Sequence, residues 1–154
     1  MEPSAPTTEQ VFLETLRRHR ADLRGSINAL EQALAAPAPG RRDAWAQRVH
    51  VALVELSADV REHIDITERP DGLYRALLMA APRLSNAVTR LTREHGQVTE
   101  LVDDLLAFLN GPEAGEVDRV RDLGTALLGK LVRHRQRGSD LVWEAYAVDI
   151  GGET

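Results

Sequence analysis

The chain has 154 residues, of which 43% are hydrophobic and 28% are charged, as expected for one globular domain with its own core. It contains no cysteine, which excludes disulfides, cysteine-ligated zinc or iron–sulfur sites and thiol nucleophiles. Its net charge of −5 argues against a nucleic-acid partner, and the lack of an apolar run near ~18 residues argues against a membrane partner. Because the N-terminus does not resemble a signal peptide, the protein is expected to be cytoplasmic.

Proline and glycine clusters divide the chain into four long segments rich in Ala, Leu, Arg and Glu, which favours helices. Thr7 and Gln10 predict a capping box at the first of them. The connection between the second and third segments holds Leu73, Leu77 and Leu78, and it predicts a short extra helix over one end. The predicted long helices are Thr8–Ala35, Arg42–Thr67, Pro82 to about Asn110, and Gly115–Val148.

Each of these four segments carries apolar residues at steps of three and four, so each is amphipathic. Four amphipathic helices of similar length with short links predict an all-α fold, an antiparallel up-down-up-down four-helix bundle. The bundle is expected to span residues 8–148, between a flexible N-terminal tail (1–7) and a C-terminal tail (149–154). No second domain is predicted.

Four of the five histidines fall on these apolar stripes, one in each predicted helix, whereas His50 is off the pattern and is expected at the surface. In an up-down-up-down bundle the four positions lie within a few turns of one another, because each helix rises ~1.5 Å per residue. A single histidine on such a face is usually a hydrogen-bonded core residue. Four neutral imidazoles in a dry core each need a partner, which favours a metal site. The predicted metal ligands are His19, His63, His95 and His134.

The segments around these histidines are HRADL (19–23), REHIDITE (61–68), TREHGQVTELVDDLL (92–106) and LVRHRQRGSDLV (131–142). In their order and spacing the sequence resembles the hemerythrin-like family, which has a His–His–Glu cation-binding pattern. The resemblance implies a four-helix bundle with a non-heme di-iron site that binds or reduces oxygen. It also implies roles in oxygen carriage, iron or redox sensing, or peroxide removal, with the four histidines as iron ligands.

The carboxylates of the family pattern are missing at their usual positions. Thr67 stands four residues after the second histidine, Thr99 stands where some members have another histidine, and Gly138 stands four residues after the last one. Glu68 is the best candidate for a carboxylate ligand, provided that its helix unwinds before Pro70. Weaker candidates, each expected to be a solvated charge, are Glu94, Glu100, Asp140 and Glu144.

Three further residue features bear on access to this site. Gly138 leaves space for a small molecule beside the imidazoles, or alternatively allows close helix packing. Tyr74 is a candidate to cover the site or to act as a ligand. Trp143 and Tyr146 are expected to close the end of the last helix over it.

Three functions follow from these observations. The first is a hemerythrin-like metal protein that binds non-heme iron, with dioxygen or peroxide as its small-molecule partner. The second is a metal-free bundle that serves as an interaction or small-ligand-binding module, and the third is a non-heme iron oxidative enzyme in a biosynthetic pathway. The missing carboxylates make the second function, the metal-free module, more favourable than it would be from the fold alone. The sequence leaves open whether the protein is an enzyme, and it identifies no protein partner.

Overall fold

The computed structural model describes the backbone of residues 2–151 and the side chains of residues 2–146. Across these residues every regular element is helical, which confirms the predicted all-α class. A short 3-10 turn leads from the third helix into the fourth. The helices are α1 (Thr8–Ala35), α2 (Arg42–Glu68), α3 (Leu73–Ala80), α4 (Ser85–Leu109) and α5 (Val117–Gly151).

Local sequence sets where the helices begin and end. The predicted capping box forms, because Thr7 Oγ1 accepts the Gln10 N–H at 3.1 Å and Gln10 Oε1 accepts the Thr7 N–H at 2.8 Å. Before α2, Gly40 has a φ of +73°, a left-handed conformation that glycine adopts without strain. Helix α2 ends at Glu68, ahead of Pro70, so Glu68 is its last helical residue.

The fifth helix is longer than the sequence predicts at its C-terminal end. It begins at Val117, two residues after the predicted start, and continues to Gly151. Residues 149–151 of the predicted C-terminal tail are therefore helical in the backbone. The remainder of that tail, residues 152–154, lies outside the described residues.

The four long helices form the predicted four-helix bundle. Helix α1 packs against α2, α2 against α4, α4 against α5, and α5 against α1, so that each helix has two neighbours. Helices joined by short connections in this arrangement run antiparallel. Helix α3 contacts α2, α4 and α5 and covers one end of the bundle, as predicted.

The core consists of two apolar clusters. The larger one fills the bundle and includes the fully buried Leu30, Leu53 and Leu105. The smaller one lies between α3 and helices α4 and α5, and it includes Leu77 of α3 and Leu141 of α5. Among the described residues, no helix combines the length and the apolarity that a membrane span requires.

Candidate metal centre

The four histidines predicted to share a layer do meet, at the boundary between the two apolar clusters. His19 Nε2 lies 3.1 Å from His63 Nδ1, and His63 Nε2 lies 3.2 Å from His134 Nε2. His95 Nε2 lies 3.1 Å from His134 Nε2. His63, His95 and His134 each offer one nitrogen, and these three atoms lie within 4.8 Å of one another, close enough to hold a metal ion. His50 is only partly exposed and lies at the opposite end of the bundle, beside Asn110.

Two carboxylates bind the outward-facing nitrogens of this cluster. Glu68 Oε2 lies 2.5 Å from His95 Nδ1, and Glu94 Oε1 lies 3.0 Å from His134 Nδ1. Arg137 donates to the second oxygen of Glu94. Glu94 is only 4% exposed, so the expectation that it is a solvated surface charge is wrong. Its burial is explained by its two partners, since a buried carboxylate requires paired charges or donors.

The other candidate acids differ from Glu94, because all three are exposed on the helix surfaces, as expected. Glu100 lies on α4, and Asp140 and Glu144 lie on α5. Asp140 accepts a hydrogen bond from Gln136 on the same helix.

The carboxylate partners fix which nitrogen carries the proton in two of these rings, His95 and His134. Because Glu94 is paired with Arg137, its carboxylate only accepts, and His134 donates from Nδ1. His95 likewise donates from Nδ1 to Glu68. The Nε2 atoms of His95 and His134 are then both unprotonated acceptors, and they face each other at 3.1 Å. Two buried lone pairs that face each other repel unless donors or a cation satisfy them, and a cation between them would do so, so the residues present fit a bound metal ion.

Burial keeps these imidazoles in the neutral form that binds metals. It lowers the pKa of His19, His95 and His134 below the ordinary value of 6.5. The pKa of His63 falls to about 2, because the neighbouring imidazoles add to the effect of burial. At neutral pH all four rings are therefore uncharged.

Tyr74 of α3 completes the inner face of the cluster. Its hydroxyl lies 3.1 Å from His95 Nε2 and can donate to that nitrogen only while no metal is bound there, because the nitrogen has a single lone pair. The side chain is buried, and burial raises the pKa of its phenol. The phenol thus covers the centre, one of the two roles expected for it.

The threonines at the family's ligand positions bond to backbone instead. Thr67 Oγ1 donates to the carbonyl oxygen of His63 at 2.8 Å, and Thr99 Oγ1 donates to that of His95 at 2.9 Å. Both hydroxyls therefore bond to the main chain one turn earlier in their own helices. Neither threonine replaces the missing ligand.

A cavity of about 80 Å³ opens beside the imidazoles. Gly138 lines it, and a Cβ added there would meet no heavy atom within 4 Å, which favours open space over close helix packing. Arg20 and Arg135 also line this cavity, together with apolar side chains. Trp143 and Tyr146 are 69% and 45% exposed, so the expectation that they close over the site is wrong.

Comparison with protein families matches residues 11–137 to the hemerythrin HHE cation-binding domain. The chain belongs to this family. The match covers most of the bundle, including all four histidines of the layer, and confirms the resemblance seen in the sequence. Searches of curated proteins and of solved structures give no match. Family membership and the histidine cluster together indicate that this hemerythrin-like domain is a helical protein with a cation-binding site.

Proposed function

We propose that this hemerythrin-like domain binds non-heme iron at the histidine layer and uses it to bind, reduce or sense dioxygen or peroxide. The convergence of the nitrogens of His63, His95 and His134 within 4.8 Å carries the proposal. Imidazole nitrogen suits iron as well as zinc, copper and nickel, and the family resemblance favours iron among them. When bound, iron supplies the redox-active centre that an oxygen species requires.

The predicted ligand set consists of five residues that are all in contact with this layer: His19, His63, Glu68, His95 and His134. Burial keeps the imidazoles neutral, so their lone pairs are available to a cation without loss of a proton. Carboxylates at the outer nitrogens of two rings fix their orientation.

The cavity supports a small-molecule partner. A water molecule needs about 10–15 Å³ of such space, so 80 Å³ accommodates dioxygen or peroxide with a few waters. Leu23, Leu77 and Val142 line it and limit the approach of bulk solvent. The cavity leaves little room for a large organic substrate, which favours the handling of oxygen or peroxide over oxidation of a bulky biosynthetic intermediate.

The decisive experiment is metal analysis and absorption spectroscopy of the protein after expression in iron-supplemented medium. We expect bound iron in the wild type and in His50→Ala, which alters a histidine at the other end of the bundle. We expect iron to be lost in His63→Ala. Absence of iron from the wild type would refute the proposal and favour the metal-free interaction module.

Turnover by the same iron-loaded sample separates a carrier from an enzyme. Catalytic consumption of peroxide or dioxygen would identify an enzyme, whereas reversible oxygen binding without consumption would identify a carrier.

We further propose, from the sequence, a cytoplasmic location and one functional domain over residues 8–148.

A further inference from the structure

We propose that the centre holds one metal ion, bound through the Nε2 atoms of His63, His95 and His134. Their outward partners orient these ligands and do not bind the metal themselves. The partners are His19, Glu68 and Glu94. This inference rests on the proposed metal binding and departs from the two-iron site that the hemerythrin resemblance implies.

The spacing of the inner nitrogens suits one ion. Nitrogen ligands at about 2.1 Å from a shared ion lie about 3.0–3.4 Å apart in tetrahedral or octahedral geometry. The Nε2 atom of His134 lies 3.2 Å from that of His63 and 3.1 Å from that of His95. Two of the three pairs are therefore already at the spacing of a shared ion, and all three nitrogens lie within 4.8 Å of one another.

Each of these rings is held at its other nitrogen by a partner from a different helix. His95 and His134 donate from Nδ1 to Glu68 and Glu94, at 2.5 and 3.0 Å. Such carboxylate–histidine pairs behind a metal fix the tautomer and the ring orientation and increase the basicity of the ligand. Two carboxylates behind three neutral nitrogens also balance the charge of one divalent ion.

His19 holds the same position behind His63 that the carboxylates hold behind the other two rings. Its Nε2 lies 3.1 Å from the Nδ1 of His63, the nitrogen that faces away from His134. His63 can bind metal through Nε2 only with its proton on Nδ1, and His19 Nε2 then accepts a hydrogen bond from that N–H. A lone pair used in this way is not available to the metal.

A second ion lacks the anionic bridge that it would need. Two cations close together require bridging oxygens to offset their repulsion, and iron favours such ligands. The nearby carboxylates, Glu68 and Glu94, bond to the outer nitrogens, and Glu94 is also paired with Arg137. Within the described part of the chain, the metal-binding group around this layer contains three histidines and no acid.

The stoichiometry of the wild-type protein tests the inference without any variant. Metal-free protein would be titrated with Co²⁺, whose visible absorption reports coordination, and iron content would be measured after anaerobic loading with Fe²⁺ and desalting. We expect both readouts to saturate at one ion per chain. Two ions per chain would overturn this inference and leave the proposed function standing. No bound ion would overturn both.

Substitutions distinguish the ligands from their partners. His134→Gln should abolish stoichiometric Co²⁺ binding, whereas His19→Gln and Glu68→Gln should retain one equivalent with affinity lowered about 10- to 100-fold. Glu100→Gln, an exposed acid on α4, should bind like the wild type. Complete loss of binding in folded His19→Gln, as judged by circular dichroism, would make His19 a ligand and overturn the assignment.

Discussion

Glu94 and its two partners allow a quantitative test of the interactions around the metal centre. Replacing Glu94 by alanine removes the acceptor of the His134 Nδ1–H, and His134 is itself buried. A buried donor left without a partner costs about 1–3 kcal/mol. Arg137 is one-third exposed, so water can solvate it again and its lost ion pair adds about 1 kcal/mol or less. We therefore expect Glu94→Ala to lower the free energy of unfolding by about 1–4 kcal/mol.

Urea unfolding of the metal-free protein at neutral pH, followed by circular dichroism, measures this difference. Glu100→Ala is the matched control, because it changes helix propensity in the same way at an exposed site on α4, and it should stay within about 0.5 kcal/mol of the wild type. A double-mutant cycle with Arg137→Ala should give a coupling of about 1 kcal/mol. If Glu94→Ala is as stable as Glu100→Ala, the buried carboxylate does not contribute as argued.

Three other predictions concern pH, metal binding and glycine. The pKa of His63 is about 2 in the folded protein and about 6.5 in the unfolded chain, so the unfolded chain binds more protons in acid. Through this residue, the free energy of unfolding should fall by about 1 kcal/mol from pH 7 to about pH 5.5. Urea unfolding should show a smaller fall for His63→Gln, and a rise in stability on acidification would contradict the sign. Zn²⁺ at about 100 times its Kd should stabilise the wild type by about 2.7 kcal/mol in thermal scans but not His134→Gln; equal shifts would argue against the site. Gly138→Ala should be more stable than Gly124→Ala by about 1–3 kcal/mol, because an added Cβ meets no atom within 4 Å at Gly138 but lies 2.5 Å from Leu34 Cδ1 at Gly124. If urea unfolding shows Gly124→Ala to be the more stable variant, Gly138 does not border open space.

The bundle and its histidine layer could be predicted because both depend on periodicity within single helices. His95 lies four residues after Leu91 and three before Val98, so it faces the core with them. The same reasoning applies in the other three helices. Short links then leave one simple arrangement, in which the four positions meet.

The role of Glu94 was missed because it depends on contacts between helices. A signal was present: Glu94 lies three residues after Leu91 and four before Val98, which also places it on the inward face. What the sequence could not supply was Arg137, the partner on α5 that makes burial of the acid favourable. Without a partner, the general preference of acids for solvent predicts the wrong environment.

The error at the end of α5 has a different cause. Leu141 and Ala145 are four residues apart and buried, so they define the inward face of the last turns. Trp143 is two residues from each, on the opposite side of the helix. The position of an aromatic residue along the helix, near a site, does not determine its direction, because the helical phase decides which way the side chain points.

Three hydrogen-bonded pairs in the histidine layer also determine how the four helices are aligned along the bundle. They connect α1 with α2, α2 with α4, and α4 with α5, and the pairs are His19–His63, Glu68–His95 and Glu94–His134. A slide of one helix by a turn, about 5.4 Å, could exchange one leucine contact for another but would separate a donor from its acceptor. The polar layer therefore selects one register among several that an aliphatic core would tolerate.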